Sequence, residues 1–558
     1  MNYKRKLYLF FLLFISLFFT SCDFFFNGLD KLITYNTPDP VTVYKTYEKK
    51  QECDWLIIMY VDGDNNLQNS LYEDINEVEE ALYNYNLIKE QFSLPNVKVI
   101  ALWDGLSNYS NNLGSGNTQI LEIGPDSSHD KRVLCSETKD LTQTVYYDND
   151  SYFYEINNWT NFNYDTEKAE ANMGDPKTLA GFLEWVDVYY KPKHKILQFS
   201  NHGAGPRSVL PINRALCSDD TSSESSTALL YTKDVSDALE KAGYGEDNKL
   251  DMLIFDVCLG ASIEDAYQYR NYADYMLASA NEVPGYGLDY TKLFYKFSNT
   301  CTAEDIGKSI IDSYVEFYTN QPNYIFTDWN KEKENYGSME KAKYFSRKAN
   351  TLSLIDLSKI DNVADKISKL ADLISKSDNL TFRYGVDGVA ENETTVRDYF
   401  KNNLLDTRIV TLRYSIAGKT EQEYNLVYPG TYTWLYDIGF IARNIALFTH
   451  NEEKAQDLYQ ATNNLTSALQ DALVYTWREG PSKDQNDGEY ATIDGSEKDN
   501  SLYYGGNLPF GLTISGATRQ DLYGTYVPAY PNYYKTDLDF GKDTTWGNLL
   551  EIYFANIN

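Results

Sequence analysis

The fold of this chain is decided by the stretch Lys195-Ile-Leu-Gln-Phe-Ser-Asn-His-Gly-Ala-Gly205, together with the stretch Leu250-Asp-Met-Leu-Ile-Phe-Asp-Val-Cys-Leu-Gly260. Each is a short apolar run that stops at a reactive side chain, His202 in the first and Cys258 in the second. Such runs, when bounded by small residues, are typical of buried strands in a parallel sheet. Ligands of open α/β sheets bind beyond the carboxyl ends of these strands. The two stretches therefore predict an imidazole and a thiol on one rim, as a cysteine nucleophile requires.

Similar patterns continue on both sides of these two stretches. Residues 55–61, 97–103 and 275–279 are predicted strands, and helical spacing of apolar residues separates them. A helix is predicted from the Asp62–Asn66 turn to about Leu82, and a hairpin is predicted from residues 119–123 and 131–135. Alternating strands and helices with short connections predict an α/β/α sandwich with a mostly parallel sheet.

The N-terminus carries a targeting signal. A basic segment, Lys4 to Lys6, precedes the apolar run Leu7 to Phe19, which is short for a bilayer span, and small residues then lead into Cys22. This resembles a bacterial lipoprotein signal, in which Cys22 is acylated, for example with palmitate, and becomes the new N-terminus. The alternatives are an ordinary secretory signal and an uncleaved anchor. Acyl chains would hold the protein on a membrane of the bacterial cell envelope, either in the periplasm or at the cell surface.

The chain is long enough for several segments with different roles. We expect a signal peptide at residues 1–22, a tether at 23–52, a catalytic domain at 53–330, and a C-terminal α+β extension at 331–558 packed on that domain. The formal net charge of −31 argues against nucleic-acid partners and favours basic peptides. We expect a monomer.

The cysteine count indicates a free thiol. If Cys22 carries lipid, five cysteines remain, and an odd number in an exported protein leaves at least one of them unpaired. These five are Cys53, Cys135, Cys217, Cys258 and Cys301. The sequence leaves the pairing of the other four open, and no spacing of Cys and His residues indicates zinc.

Several motifs together resemble one enzyme family. They are Asp64-Asn-Asn-Leu67, Asn201-His-Gly203, Asp256-Val-Cys-Leu259, Ala278-Ser279 and Pro284-Gly-Tyr-Gly287. The set is similar to the clostripain-type cysteine peptidases, over roughly residues 54–558. The His-Gly and Asp-x-Cys motifs are its most specific part.

The resemblance implies a caspase-like fold and a catalytic dyad. The order of His before Cys, with about 50 residues between them, agrees with caspases. By resemblance Cys258 is the nucleophile, His202 is the general base and acid, and the N–H groups of Gly203 and Cys258 form the oxyanion hole. An adjacent imidazolium and the N-terminus of a following helix would both favour the thiolate.

The resemblance also implies a pocket for a basic side chain. Asp256 shares a strand face with Cys258, because side chains alternate along a strand. In the family this Asp lines the pocket for the residue before the scissile bond, and Ser279 and Glu282 are further candidates here. We therefore expect cleavage after Arg or Lys, with Arg favoured by bidentate pairing.

Calcium dependence occurs in the family. Asp62, Asp64, Asp219 and Asp220 are the candidate ligands, although clustered acids alone assign no metal site.

Three functions remain open at this point. The first is a membrane-tethered cysteine endopeptidase, the second a non-catalytic lipoprotein that binds peptides or host proteins, and the third a carbohydrate-active lipoprotein with paired carboxylates. The presence of both His202 and Cys258 favours the first over the second. Sensitivity to thiol reagents would separate the first from the third.

Overall fold

The computed structural model describes most of the region from residue 50 onward. The described residues are 50–106, 118–128, 133–139, 144–146, 153–155, 171–203, 205–206, 216–220, 228–280, 283–320, 351–377, 379–384, 392–396, 435–439, 441–442, 445, 453–478, 490–491, 511–515 and 533–554. They fall into a large compact unit, spanning 51–143 and 156–558, and a small one that contains residues 50, 144–146 and 153–155. The proposed lipid site, Cys22, lies outside the described residues.

The strands and helices are numbered in chain order. The strands are β1 Gln51–Gly63, β2 Val97–Gly105, β3 Gln119–Glu122, β4 Glu137–Lys139, β5 Thr144–Tyr146, β6 Phe153–Glu155, β7 Tyr190–Ser200, β8 Cys217–Asp219, β9 Ala228–Leu230, β10 Leu250–Asp256, β11 Ala273–Ala278, β12 Thr351–Asp356, β13 Thr381–Tyr384, β14 Asn392–Thr395, β15 Leu435–Asp437, β16 Leu473–Arg478, β17 Tyr490–Ala491 and β18 Thr513–Ser515. The helices are α1 Gln68–Phe92, α2 Pro176–Tyr189, α3 Thr232–Lys241, α4 Ile263–Tyr269, α5 Ala303–Asn320, α6 Ile360–Lys376, α7 Gln456–Ala472, α8 Tyr533–Thr536, α9 Asp539–Asp543 and α10 Trp546–Phe554.

A ten-stranded mixed sheet forms the centre of the large unit. Its strand order is β17-β16-β12-β11-β10-β7-β1-β2-β3-β4. The five central strands, from β11 to β2, are parallel, and the strands at both edges are antiparallel. The central strands are mostly buried because helices cover both of their faces, although β7 begins with the partly exposed residues 191–195. The prediction of a mostly parallel α/β sheet is confirmed.

The two faces of the sheet pack against different helices. Met59 of β1 and Ile254 of β10 belong to a core cluster that includes residues of α1 and α5. On the other face, the ring of Phe255 stacks on Tyr269 of α4 at 5.4 Å between centroids. The layers are therefore helices, sheet and helices, as an α/β/α sandwich requires.

The C-terminal region contributes strands to the same sheet. β12 pairs with β11, and β16 then pairs with β12, both antiparallel. The predicted boundary between residues 330 and 331 lies outside the described residues. Strands from both sides of it nevertheless share a single sheet, so residues after 330 help to build the core around which the site is organised.

The predicted hairpin is wrong in its second strand. β3 pairs with β4 at Glu137–Lys139, and the described residues before it, 133–136, form no strand. In the small unit, β5 and β6 pair as an antiparallel hairpin. None of the helices in the described ranges is both long enough and apolar enough to cross a membrane.

Candidate active site

Strand register brings His202 and Cys258 to the same edge of the sheet. β7 and β10 are adjacent and parallel, with Ser200 opposite Asp256. His202 and Cys258 each follow the paired residue by two positions. Gly203 then packs directly on the second loop, because a Cβ added to it would lie 2.1 Å from the carbonyl oxygen and 2.8 Å from the nitrogen of Cys258. The two loops are therefore in backbone contact, and no residue with a side chain fits at position 203.

The half-exposed imidazole of His202 is held by a neighbouring loop. Its Nε2 lies 2.7 Å from Oδ1 of Asn66, which follows β1. The amide of Asn65 donates to Oδ1 of Asn201 at 3.1 Å, and the amide of Asn201 donates to the carbonyl of Asp62 at 3.0 Å. These hydrogen bonds join the loop after β1 to the loop after β7.

Cys258 lies in a turn with unusual backbone geometry. Its half-buried sulfur accepts from the N–H of Val283 at 3.4 Å. The next residue, Leu259, has a φ of 62°, in the left-handed region that a Leu rarely adopts. Such strain persists only where the surroundings enforce it, and Leu259 is anchored in a small apolar cluster with Leu435. The helix that follows, α4, begins at Ile263, and the favourable effect of its N-terminus on the thiolate stays a prediction.

Asp256 is a buried carboxylate in which one oxygen has hydrogen-bond donors and the other has none among the described residues. Its Oδ2 accepts from the Tyr290 hydroxyl at 2.6 Å and from the N–H of Leu288 at 3.1 Å. Its Oδ1 is buried and has no hydrogen-bond partner among the residues that the structure describes. Burial raises the pKa of Asp256 to about 6, against the opposing effect of these two donors. A buried, partly satisfied carboxylate of this kind is prepared for a cationic ligand.

Helix α1 adds a second acid near Asp256. Asp74 is buried, and desolvation together with the charge of Asp256 raises its carboxyl pKa well above the usual range. Gly287 lies over Asp256 with a φ of 57°, and an added Cβ would be 2.5 Å from Oδ2. Asp74, Tyr290 and the backbone of Gly287 therefore lie around this carboxylate.

The other two predicted pocket residues are less informative. Ser279 is fully buried, and its hydroxyl lies 2.9 Å from that of Thr351 on β12. Glu282 lies outside the described residues. The sequence analysis gave no role to Asp74 or Tyr290 and quoted Asn66 only as part of the Asp64-Asn-Asn-Leu67 motif, because the partners of all three are distant in the chain.

A separate pocket adjoins Cys258 on the other face of β10. It is lined by Gly203, Tyr231, Asp265 and Tyr269, among others. Both oxygens of Asp265 accept from hydroxyls, and burial raises its pKa to about 7. Asp256 and Asp265 are thus two buried carboxylates near Cys258, and of the two only Asp256 has an oxygen without a hydrogen-bond partner among the described residues.

Three buried carboxylates meet near the ends of β1, β2 and β8. Asp64, Asp104 and Asp219 can bring oxygens within 4.8 Å of one another. Burial and the charges of Asp219 and Asp64 raise the pKa of Asp62 well above its ordinary value. Oxygen donors from buried acids are the ligands that Ca²⁺ prefers, so the donor set fits this cation. Of the expected ligands, Asp64 and Asp219 belong to this group, and Asp104 was missed.

Two of the other described cysteines, Cys53 and Cys217, are poor candidates for the nucleophile. The described cysteines, from Cys53 to Cys301, form no disulfide with one another. Burial raises the pKa of Cys53 to about 11 and that of Cys217 well above its usual value. A thiol with a raised pKa carries little thiolate, so neither is a good nucleophile.

Comparison with known proteins gives one consistent result. The family model described as the clostripain family matches residues 59–553. The protein named clostripain from Hathewaya histolytica is 26% identical over 564 residues, covering 97% of this chain and 94% of that protein.

Solved structures of C11 proteases also resemble this chain. A secreted C11 cysteine protease from Bacteroides thetaiotaomicron, bound to an irreversible peptide inhibitor, is 16% identical with a TM-score of 0.48, covering 89% of this chain and 99% of that one. An inactive zymogen C11 protease from Parabacteroides distasonis is 15% identical with a TM-score of 0.46, covering 88% and 97%.

Proposed function

This chain belongs to the clostripain family and is a cysteine-type endopeptidase, and from that premise we propose that it cleaves peptide bonds after Arg or Lys with a Cys258–His202 dyad. The thiol proton moves to the imidazole, and the thiolate attacks the scissile carbonyl. The imidazolium then gives its proton to the leaving amine. Water, deprotonated by His202, hydrolyses the thioacyl-enzyme and regenerates the thiol.

The oxyanion of each tetrahedral intermediate would be stabilised by the N–H groups of Gly203 and Cys258. The close contact of Gly203 with the Cys258 backbone supports this assignment, because the two N–H groups belong to adjoining loops. Donors held in fixed positions stabilise the developing negative charge without reorganisation.

Asp256 carries the proposal for specificity. Its buried Oδ1 without a partner would accept a guanidinium or ammonium hydrogen bond from the substrate residue before the scissile bond. An uncharged side chain would leave this carboxylate buried and uncompensated, at a cost of several kcal/mol. Arg is favoured over Lys because its guanidinium is always charged and presents five N–H donors, so one of them can reach Oδ1 while Oδ2 keeps its donors Tyr290 and Leu288.

A panel of fluorogenic substrates tests this function. The substrates carry Arg, Lys, Leu or citrulline before the scissile bond, citrulline being a neutral analogue of Arg. Wild type should prefer Arg, Cys258→Ala should be inactive on all, and Cys301→Ala, a matched thiol control, should be fully active. Activity of Cys258→Ala on the Arg substrate would reject the nucleophile.

The specificity assignment has its own variants. Asp256→Asn should lose activity on Arg and Lys substrates selectively. Asp265→Asn serves as the control, because Asp265 is also buried beside Cys258 but both of its oxygens already have hydroxyl partners. Equal loss on all four substrates in Asp256→Asn would reject its role in specificity.

We also propose that Cys22 anchors the protein in a bacterial cell envelope through lipid. A terminal-alkyne palmitate analogue should label the wild type but not Cys22→Ala, and the variant should move from the membrane fraction to the soluble fraction. Equal labelling of both proteins would reject the lipid site.

Calcium, if bound, would be held by Asp64, Asp104 and Asp219, where it would neutralise buried negative charge.

A further inference from the structure

We propose that Asn66 is a positioning residue for the catalytic imidazole. This inference rests on the proposed role of His202 and adds a member to the site beyond the dyad. The inference is based on the 2.7 Å contact between Nε2 of His202 and Oδ1 of Asn66. An amide oxygen only accepts hydrogen bonds, so Nε2 carries the proton and donates it to this contact. Nδ1 is then the ring nitrogen that can accept a proton.

The strand arrangement brings Asn66 to His202 from a distant part of the sequence. β1 and β7 are parallel neighbours with Val61 opposite Ser200, so the loops that follow them leave the sheet at the same edge. Asn66 lies between the end of β1 at Gly63 and the start of α1 at Gln68. The loop is thus anchored at both ends by regular structure, which fixes the approach of its side chains.

Two neighbouring amides prevent this loop from moving away. Asn65 donates to Asn201, the residue before the imidazole, and its own Oδ1 accepts from the N–H of Leu67 at 2.8 Å. Asn201 donates in turn to the Asp62 carbonyl and carboxylate. All three of Asp62, Asn65 and Asn201 are buried. This network aligns the peptide of Asn66 with that of His202 and leaves the Asn66 side chain for the ring itself.

The choice of an amide has a chemical consequence. A carboxylate at this position would stabilise the imidazolium and raise the pKa of His202, whereas a neutral oxygen fixes the ring with less effect on its basicity. The Nε2–H bond remains intact whether Nδ1 is neutral or protonated. Asn66 can therefore orient the ring both when it takes the thiol proton and when it gives that proton to the leaving amine, and Asn66 itself transfers no proton.

The test compares Asn66→Ala with Asn66→Asp on the same Arg substrate. Asn66→Ala should lower kcat by about 100-fold, the lower range of a general acid–base contribution, while KM changes by less than about twofold. Asn66→Asp should retain more activity than Asn66→Ala. It should also move the pH dependence of kcat/KM, because the new carboxylate raises the imidazole pKa. A role limited to folding would lower the melting temperature and leave the pH profile where it was.

A second readout does not depend on peptide cleavage. The rate of alkylation of Cys258 by iodoacetamide reports the thiolate, and its pH profile should shift in Asn66→Asp relative to wild type. Unchanged kcat in Asn66→Ala, or unmoved profiles in Asn66→Asp, would overturn the inference. Failure of the proposed dyad would look different, since Cys258→Ala or His202→Ala would then keep activity whatever Asn66 does.

Discussion

The ionisation of Asp256 should control substrate choice as a function of pH. Its pKa is raised to about 6 by burial, so below that pH the carboxyl is mostly neutral and above it mostly charged. Only the charged form compensates a substrate guanidinium. The ratio of kcat/KM for Arg over citrulline substrates should therefore rise as pH increases through about 6. Steady-state rates from about pH 5 to about pH 7.5 check this, and a flat ratio would contradict it. Titration of the dyad affects both substrates and cancels in the ratio.

Tyr290 sets where that transition occurs. Its hydroxyl donates to Asp256 at 2.6 Å and counteracts the effect of burial on the pKa. Tyr290→Phe removes a donor to the charged form, so the pKa of Asp256 should rise further. The midpoint of the Arg-to-citrulline ratio should then move to higher pH. Tyr295→Phe is the matched control, because that ring is 69% exposed, and an equal shift in both variants would refute the assignment.

Gly203 is the residue at which a single methyl group should stop catalysis. A Cβ there would lie 2.1 Å from the Cys258 carbonyl oxygen, a distance that requires the two loops to separate. Gly203→Ala should therefore reduce kcat/KM by about 100-fold or more through the oxyanion hole. Gly245→Ala is the control, since nothing lies within 4 Å of its added Cβ. Near wild-type activity in Gly203→Ala would show that this contact is not required.

At the scale of elements, an aromatic stack supports the two strands that carry the site. Phe255 lies parallel to Phe199 of β7 at 5.3 Å and next to Tyr269 of α4. Phe255→Ala would leave a cavity under the nucleophile, at a cost of about 3–5 kcal/mol in unfolding free energy. Phe92→Ala, at a side chain 60% exposed on α1, should change stability by about 0.5 kcal/mol at most. Urea unfolding of both variants measures the difference, and equal stabilities would contradict the role of the stack.

Local apolar patterns in the sequence were enough to predict the strands that carry the candidate site. The strands within residues 195–205 and 250–260 end at Ser200 and Asp256, so His202 and Cys258 follow the ends of adjacent parallel strands. Helix α1 exceeded its predicted end at Leu82, since Tyr85 is also buried and the helix continues to Phe92. Local sequence patterns therefore located the strands and the candidate catalytic residues that follow them.

Other features depend on contacts that no local pattern contains. Residues 131–135 are the predicted second strand of the hairpin, but the N–H groups of Cys135 and of the next residue, Ser136, donate to the Glu79 carboxylate of α1 at 2.7 to 2.9 Å. The hairpin partner therefore begins at Glu137. Asn66 likewise becomes part of the site only through the pairing of β1 with β7. Such partners are fixed by topology, which the sequence alone does not specify.

For the whole molecule, the parallel strands place His202 and Cys258 together at the carboxyl ends of the central strands. The chain enters β1 at Gln51, at the opposite edge of the sheet from His202 and Cys258. The net charge of −31 would draw basic peptides toward the protein. The attraction is screened by salt, while a buried pair with Asp256 is screened much less. Encounter and recognition thus depend on different parts of the charge distribution.

The buried carboxylates of Asp64, Asp104 and Asp219 should make the melting temperature of the protein depend on Ca²⁺. One carboxylate oxygen from each of the three residues lies within 4.8 Å of the others, a spacing that suits a shared cation. If Ca²⁺ binds there, it should raise the melting temperature of the full chain, and chelation should lower it. Asp104→Asn should remove most of the response to Ca²⁺. It should be at least as stable as wild type in chelator, because one of the three carboxylates is gone. Equal melting temperatures of wild type in Ca²⁺ and in chelator would show that this group of acids binds no Ca²⁺.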